Sequence, residues 1–353
     1  MSDETQLIAA KKLNKACQIL LEKAGVPGDQ AETIAQVVVE ADLRGISSHG
    51  ILRLPAYIRR ALAGTMTADT QLAVLQERGA SLLVDAQCGF GQVAASYAME
   101  RAIDKAKEHG AAFVAVRNAG HFGIAAHYAM MALSHKMIGM VSANSAPSMA
   151  AWGGTIPLFG TNPICVAIPT GEEVDIVLDM ASSVVARGKI RLAVKKGDKI
   201  PLNWALDAQG VPTSDPNAAM KGTLLPIGGP KGYGLALVVD ILSGVLTGSN
   251  FGKDVAVTTD FDRKVSAGFV VQALDISAFT EAGVFFKDIQ SLIADIRNSP
   301  RAPSVERIYL PGEIEWLNQK EREEKGIPVS NSLLIELEKI AKELKVDLDL
   351  PMP

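Results

Sequence analysis

Cysteine is scarce in this chain of 353 residues, and the three that occur, Cys17, Cys88 and Cys165, are far apart. They form no CxxC motif and no Cys/His cluster, so neither a disulfide framework nor a zinc site is expected. Unpaired thiols are typical of a reducing compartment, and we therefore expect a cytoplasmic protein.

Long apolar runs and an excess of positive charge are also missing. No stretch of roughly 18 apolar residues occurs, so no membrane span is expected, and the first residues lack the apolar region of a signal peptide. The 35 Lys and Arg are balanced by 39 Asp and Glu, and no basic block is present, which argues against a nucleic-acid partner. The formal charge of −4 still allows a small anionic substrate, because one well-placed arginine can bind a carboxylate.

Hydrophobic residues make up 48% of the sequence, enough to build two or three globular domains. Both ends of the chain show the helical period, in which apolar residues recur every three to four positions. Asp29 is placed to cap the second predicted helix, and Pro55 suits the first turn of the third. The predicted terminal helices cover 5–24, 29–43, 55–64 and 311–346.

The middle of the chain carries short apolar runs separated by Gly, Pro and Asn, a pattern that favours the strands of a sheet. Because helical ends bracket this mixed middle, we expect 1–76 and 316–353 to form one helical domain and 77–315 to form an α/β (α+β) domain. The predicted strands are 81–85, 111–116, 138–142, 163–168, 175–180 and 268–274, and the predicted internal helices are 92–109, 184–193, 232–246 and 285–296.

His121 lies between two glycines in the motif Gly120-His121-Phe122-Gly123, after an apolar run and before a helical pattern. A strand, a tight loop and a helix start would expose this side chain to a substrate. Because histidine titrates near neutrality, His121 is a candidate general acid–base residue. The alternative is a capping or structural histidine on a glycine turn.

A second group of polar residues consists of Ser48, His49, Arg53 and Tyr57. Arg53 and Tyr57 come four and eight residues after His49, so a continuous helix would place all three on one face. Arginine can bind a carboxylate bidentately, and tyrosine can donate to an oxygen. In the alternative interpretation, Ser48 caps a helix and Arg53 is a solvent-exposed charge.

Polar loops supply further candidates for binding a cofactor or an anion. The segments 144–148, which includes Ser145, and 160–163, which includes Thr161, could present backbone N–H groups or form ordinary turns. Lys231 lies in a glycine-rich segment before an apolar helix, where the helix N-terminus favours an anion. Asp179 ends an apolar strand, where its carboxylate could accept hydrogen bonds from ribose hydroxyls.

The segment Cys88-Gly-Phe-Gly91 resembles half of the dinucleotide fingerprint GxGxxG between a strand and a helix. Its third glycine position holds Ala94, and no acidic-ended second strand follows about 20 residues on. We therefore interpret the segment as a strand–helix turn and do not predict a Rossmann domain from it.

Seven segments, spread from about residue 40 to 313, carry a family resemblance. In order they are SSHGILRLPAY, NAGHFGIAAHYAMMA, SAPSMAAWGG, FGTNPICVAIPT, LDMASS, GGPKGYGLAL and IYLPGE. Together they resemble the type-2 malate/L-lactate dehydrogenases, a family that includes ureidoglycolate and sulfolactate dehydrogenases, diketogulonate reductase and piperideine/pyrroline-carboxylate reductases. One departure is Ala151, where the family's PSMAPWGG has a proline.

The resemblance implies an NAD(P)-dependent oxidoreductase that forms a homodimer. It also implies a non-Rossmann cofactor-binding and catalytic domain on a mostly antiparallel, seven-stranded sheet, beside a helical domain from both termini. Carried onto this sequence, it implies catalytic roles for His121 and His49, contacts to a small carboxylate substrate from Ser48, Arg53 and Tyr57, and cofactor contacts from Ser145, Thr161, Asp179, Met180, Ala181 and Lys231.

The reaction is open within this family. One hypothesis is hydride transfer between nicotinamide and C2 of a small 2-oxo or 2-hydroxy acid, with protonated His121 supplying the proton in reduction. Another is reduction of a cyclic imine carboxylate to an amino acid. A third is a non-catalytic carboxylate-binding protein built around Lys231 and Arg53.

The choice of cofactor is similarly open. Asp179 would suit the free 2′-hydroxyl of NAD, because a carboxylate repels the 2′-phosphate of NADP. Arg187, Lys189 and Arg191 follow closely and could neutralise that phosphate. We expect NAD, with NADP as the alternative.

Overall fold

The protein is described by a computed structural model that covers residues 4–351. Its α-helices are α1 Ala10–Lys23, α2 Gly28–Leu43, α3 Leu54–Leu62, α4 Gly91–His109, α5 Ala125–Met131, α6 Arg187–Lys196, α7 Pro216–Lys221, α8 Pro230–Asp240, α9 Ala282–Asn298, α10 Glu313–Lys325 and α11 Asn331–Glu343. Its strands are β1 Thr5–Ile8, β2 Ala73–Arg78, β3 Ser81–Asp85, β4 Ala111–Ala119, β5 Met137–Ala143, β6 Met149–Ala150, β7 Pro157–Phe159, β8 Ile164–Ile168, β9 Ile176–Met180, β10 Ala205–Leu206, β11 Thr223–Leu224, β12 Ala267–Asp275 and β13 Ile327–Ser330.

The largest sheet has seven strands in the order β2-β3-β4-β12-β5-β8-β9. Among its described strands only β3 and β4 run parallel, while the other neighbours are antiparallel. A parallel pair needs a long crossover, and α4 supplies it between these two strands. The predicted mixed α/β fold with a mostly antiparallel, seven-stranded sheet is confirmed.

Helices α4 and α5 cover this sheet and form the main core with it. The face of α4 that packs on the sheet carries alanines at four-residue spacing, which lets the helix lie close to the strands. Gly110 ends α4 in the left-handed conformation with φ of 80°, as expected for a glycine after a helix. The segment 120–124, which contains His121, connects β4 to α5.

The two ends of the chain meet, since β1 pairs antiparallel with β13 and α1, α2, α3 and α11 share a second core. The prediction of a helix over 5–24 was wrong for its first residues, because Thr5–Ile8 form β1 and the helix begins only at Ala10. The strand β13 also interrupts the predicted helical tail. Both differences have one cause: pairing between distant segments satisfies backbone groups that local periodicity cannot assign.

Other predicted boundaries shift for local reasons. Helix α2 begins at Gly28 after Pro27, so Asp29 lies in the first turn and does not cap the helix with its side chain. Helix α6 begins at Arg187 and not at 184. The apolar helix predicted for 232–246 ends as an α-helix at Asp240 and continues as a π-helical turn, Ile241–Val245.

A smaller sheet in the order β10-β11-β6-β7 packs with α6, α7 and α8 around a third core. Cys17, Cys88 and Cys165 are free thiols. None of the helices between residues 4 and 351 combines the length and the apolar content needed to cross a bilayer.

Arg60 on α3 is the largest fully buried side chain of the described residues, with 1% of its surface exposed. Its guanidinium donates to the backbone oxygens of Val257, Thr258 and Arg263 at 2.6, 2.7 and 3.0 Å. These bonds tie the segment 255–265, which has no regular strand or long helix, to the helical part of the chain.

Arg60→Met should lower the free energy of unfolding by about 2–4 kcal/mol, because three hydrogen bonds from a buried guanidinium to backbone carbonyl oxygens are lost. Denaturant titration followed by circular dichroism measures this loss. Arg59→Met is the matched control, since Arg59 is exposed and pairs with Glu336 at the surface, where about 0–1 kcal/mol is at stake. Equal stability of the two variants would contradict the anchoring role of Arg60.

Candidate active site

A cavity of about 620 Å³ lies where the helical part of the chain meets the seven-stranded sheet. It brings together residues that are more than a hundred positions apart in the sequence. Met180 and Lys231 are the predicted site residues that do not line it. The predicted residues that do are Ser48, His49, Arg53, Tyr57, His121, Ser145, Thr161, Asp179 and Ala181.

The segment 47–53 forms two 3₁₀ turns, so no continuous helix stacks His49 and Arg53 with Tyr57, and α3 begins at Leu54, next to the predicted start at Pro55. Gly50 separates the turns in an extended conformation, and a Cβ there would overlap the carboxylate of Asp42. That buried carboxylate accepts a hydrogen bond from the N–H of Ile51 at 2.7 Å. The two turns and the bend at Gly50 bring the polar side chains of this segment to one cavity; stacking along a helix does not.

Hydrogen bonds hold Ser48, His49 and Arg53 together. The hydroxyl of Ser48 lies 2.9 Å from Nδ1 of His49, and Nε of Arg53 donates to the backbone oxygen of Ser48 at 2.7 Å. No carboxylate of the described residues forms an ion pair with Arg53. Its terminal guanidinium nitrogens are therefore available to an anion in the cavity.

His121 lies in the loop after β4, and its ring stacks on that of His49 with centroids 5.4 Å apart. Nδ1 of His121 receives the Tyr57 hydroxyl at 2.7 Å and the N–H of Gly123 at 3.2 Å. Because a backbone N–H can only donate, Nδ1 carries a lone pair and the proton of the neutral ring lies on Nε2. Among the described residues no partner contacts Nε2, which leaves this nitrogen for a ligand.

The electrostatics of the cavity-lining residues favour neutral histidines. Burial and the positive charge of Arg53 lower the pKa of His49 to about 4. Burial, Arg53 and His49 together lower the pKa of His121 well below its usual 6.5. A cavity that holds a cation and disfavours further positive charge is suited to an anionic ligand.

The two predicted polar loops form one wall of the cavity, and Asn162 joins them. Its buried side chain accepts from the N–H of Ser145 at 3.0 Å and donates to the backbone oxygen of Ala236 at 2.9 Å. Gly160 packs so closely on Ser145 that a Cβ would overlap it. The buried hydroxyl of Ser148 in the same wall has no hydrogen-bond partner within 4–351.

Asp179 faces the cavity from the end of β9. One of its carboxylate oxygens accepts the N–H of Ala126 at 3.0 Å at the start of α5, while burial raises the pKa of Asp179 to about 6. The side chain is exposed to the cavity although protein atoms surround it on most sides. Its neighbour Met180 pairs with Ile164 in the sheet, and Ala181 lines the cavity.

Lys231 lies in the first turn of α8, where it is exposed and outside the cavity. A long ligand that extended beyond the cavity would be needed to reach it. Its contact with a cofactor therefore stays a prediction.

Sequence reasoning missed several lining residues. The segment 255–258 carries no motif, and it reaches the cavity because Arg60 holds the backbone of Val257 and Thr258. Arg187 and Arg191 on α6 also line the cavity, although the sequence suggested for them only a role towards a 2′-phosphate. The signal in the sequence that could have found them is their spacing: two arginines four residues apart in a predicted helix lie on one face and can bind one anion together.

Comparison with known protein families shows the family to which the chain belongs. The family model described as malate/L-lactate dehydrogenase matches residues 8–338. The chain belongs to this family.

Three relatives and one solved structure that are similar to this chain agree with this family assignment. L-sulfolactate dehydrogenase of Methanothermobacter thermautotrophicus is 38% identical over 95% of this chain and 96% of its own length. (2R)-3-sulfolactate dehydrogenase (NADP(+)) of Chromohalobacter salexigens is 36% identical, covering 91% and 94%, and ureidoglycolate dehydrogenase (NAD(+)) of Escherichia coli O157:H7 is 33% identical, covering 91% and 90%. The structure of sulfolactate dehydrogenase from Methanocaldococcus jannaschii aligns with a TM-score of 0.92 at 38% identity, over 98% of this chain and 99% of that one.

Membership of the malate/L-lactate dehydrogenase family confirms the prediction of an oxidoreductase, a dehydrogenase of the 2-hydroxyacid type. Dehydrogenases of this kind work with a nicotinamide cofactor, and the relatives' names include both NAD(+) and NADP(+). The polar wall fits such a group, because the unpaired hydroxyl of Ser148 and the cavity-facing Ser145, Thr161 and Asp179 offer the donors and acceptors that an amide and a ribose need.

Arg53→Met should raise the pKa of both His49 and His121, because it removes the cation that disfavours their protonated forms. Two-bond ¹H–¹⁵N NMR of the histidine rings, recorded against pH, measures both values. Arg59→Met removes an exposed arginine from α3 and should leave them unchanged. Titration curves that do not move in Arg53→Met would show that Arg53 does not control the charge of this cavity.

Proposed function

We propose that the protein catalyses reversible hydride transfer between nicotinamide and C2 of a small 2-oxo or 2-hydroxy acid. The observation that carries this proposal is the geometry of His121: two donors occupy Nδ1, and Nε2 is left for a substrate oxygen in a cavity where Arg53 has no carboxylate partner among the described residues. When bound, the nicotinamide ring supplies or accepts the hydride. In reduction the protonated His121 ring gives its Nε2 proton to the C2 oxygen and keeps the proton on Nδ1, towards the Tyr57 hydroxyl; in oxidation Nε2 accepts the proton from that same Nδ1–H form. His49 stacks against His121 as the second catalytic histidine.

Arg53 anchors the substrate carboxylate, with Ser48 beside it, and thereby fixes which face of C2 is presented. This ion pair also changes the state of the histidines. The substrate carboxylate compensates the charge of Arg53, which is one cause of the low pKa of His121, so binding favours protonation of that ring. Reduction needs the protonated ring as the acid, and substrate binding helps to create it.

The cofactor is proposed to lie along the polar wall, with contacts from Ser145, Thr161, Asp179, Met180 and Ala181 and, at its far end, Lys231. NAD is the proposed form, because the Asp179 carboxylate in the cavity would repel a 2′-phosphate. The non-Rossmann mode of binding on the antiparallel sheet belongs to the same proposal. The ratio of Michaelis constants for NADH and NADPH tests it.

We further propose that the preferred substrate carries a second anionic group, as a dicarboxylate or a sulfonated acid does. Helix α6 begins over the substrate residues, since a Cβ at Gly188 would lie 4.0 Å from that of Ser48. It brings Arg187 and Arg191 to the cavity, and each lacks a carboxylate partner among residues 4–351. Their mutual repulsion, which together with burial lowers the pKa of Arg187, would be relieved by an anion between them.

The proposed assembly follows from an exposed apolar surface. The exposed side of α8 and its π-helical turn carries Leu235, Val238, Ile241, Val245 and Leu246, a patch suited to a second copy of the chain. We propose that the protein forms a homodimer, which light scattering would test. We also propose that each chain has one domain formed by 1–76 and 316–353 and a second domain formed by 77–315. Fractionation would test the proposed cytoplasmic location.

His121→Gln should lower kcat for reduction of the best 2-oxo acid by about 10²–10⁴-fold, because general acid–base help is lost. Binding of NADH, followed by its fluorescence, should be kept. His135→Gln, which changes an exposed histidine, is the control. Near wild-type turnover in His121→Gln would overturn the assignment, and turnover with piperideine-2-carboxylate alone would favour an imine reductase.

Arg191→Met should lower kcat/KM for oxaloacetate and sulfopyruvate by about 10–100-fold and leave that for pyruvate almost unchanged, because only the first two carry a second anion. Lys189→Met is the matched control, because Lys189 lies on the same helix and does not line the cavity. Equal losses with all three acids would contradict the proposal. A rise in KM confined to NADPH would assign Arg191 to the cofactor phosphate.

A further inference from the structure

Gln92, the second residue of α4, is fully buried, with 0% of its surface exposed. Neither Nε2 nor Oε1 of its amide forms a hydrogen bond of good geometry with a described residue. A buried amide without partners disfavours folding, and an apolar side chain of similar shape would avoid that cost. Gln92 does not line the cavity, so contact with a substrate does not explain it.

The neighbour of this amide is the hydroxyl of Tyr57. The start of α4 packs on Tyr57 and on the His121 loop: the Phe90 ring lies edge-on to that of Tyr57 with centroids 6.4 Å apart, and a Cβ at Gly91 would overlap the backbone oxygen of Gly120. Gln92 follows directly in the first turn of α4, buried next to these contacts and outside the lining of the cavity. Burial raises the pKa of Tyr57 to about 12, while Arg53 and the Gln92 amide lower it, which agrees with this placement.

The Tyr57 hydroxyl contacts Nδ1 of His121 at 2.7 Å, and its role changes with the charge of the ring. When His121 is neutral, Nδ1 is an acceptor and the Tyr57 hydroxyl donates to it. When His121 is protonated, Nδ1–H must donate to the Tyr57 oxygen, and the hydroxyl proton has to turn to another acceptor. A partner that both donates and accepts is needed behind Tyr57, and an amide is such a group.

We propose that Gln92 is a positioning residue for the acid–base step, acting through Tyr57 on His121. Its N–H donates to the Tyr57 oxygen while Nδ1 of His121 carries no proton, and its C=O accepts the Tyr57 proton while Nδ1 is protonated. This inference rests on the proposed function, because it assigns a purpose to both charge states of His121. It also gives Tyr57 a role behind the catalytic ring, in place of the substrate contact predicted from the sequence.

Charged groups around the ring are a separate influence. His49 and Arg53 face His121 from the segment 47–53, and Tyr57 faces it from α3. Gln92 is neutral, so it changes the proton affinity of His121 only by directing the Tyr57 hydroxyl. An effect of Gln92 should therefore vanish when that hydroxyl is removed.

The test compares Gln92→Met, Tyr57→Phe and the double variant with the wild type in reduction of oxaloacetate or pyruvate. Gln92→Met should lower kcat by about 2–10-fold and move the pH profile of kcat to lower pH, with KM almost unchanged. In the Tyr57→Phe background the same change should have no further effect. Ser96→Ala is the matched control, because Ser96 lies one turn further on α4 and its hydroxyl is also unpaired within 4–351.

Gln92→Met should melt close to the wild-type temperature, because methionine fills the same buried space and the lost hydrogen bond to Tyr57 is offset by the removal of a buried polar group. A pH profile identical to that of the wild type would overturn the proposal. An equal loss of kcat with and without the Tyr57 hydroxyl would also overturn it, since that result indicates a purely structural role.

A second readout does not depend on turnover. With oxamate bound to compensate Arg53, ¹⁵N NMR of the His121 ring should show protonation at lower pH in Gln92→Met than in the wild type, and no such difference in the Tyr57→Phe background. Unchanged ring titration would overturn the role of Gln92 even in an active enzyme. A wild type that reduces none of the 2-oxo acids but shows the expected titration would leave this hydrogen-bond chain standing and overturn the proposed function.

Discussion

The hydrogen bond between the Tyr57 hydroxyl and Nδ1 of His121 joins the two parts of the molecule between which the cavity lies. Tyr57 belongs to α3, whose core is built from the chain ends, while His121 follows β4, an interior strand of the large sheet. The bond engages Nδ1 of the His121 ring and leaves Nε2 to face the cavity. Any shift of α3 on the sheet would therefore alter the chemistry of the site as well as the packing.

The second constraint is unbalanced charge. Arg53, Arg187 and Arg191 face the cavity without carboxylate partners among the described residues. Burial and the charge of Arg53 lower the pKa of the two histidines. This charge distribution favours the binding of an anion. In the proposed function, the same positive charge selects an acidic substrate, and its compensation by that substrate favours the protonated form of His121.

Much of the site could be predicted from the sequence because each group lies in a short motif of its own. The glycines around His121, and the pairing of Ser48 and His49 with Arg53, identify chemistry that local residues suffice to define. Motifs did not reveal how these groups meet: the chain bends at Gly50, where the Asp42 carboxylate of α2 leaves no room for a side chain. Gln92 and the segment 255–258 have no motif, and only packing brings them to the site.

By itself, the sequence determined the alternation of helical and strand-forming segments, the family and the reactive side chains, because these depend on residue type and local spacing. The tertiary structure decided that the first residues pair as a strand with β13, that Arg60 carries a loop to the cavity, and which nitrogen of His121 is free. Each of these results depends on hydrogen bonds between residues that are far apart in the chain. Local spacing contains no information about such partners, since the folded core alone sets their distance and orientation.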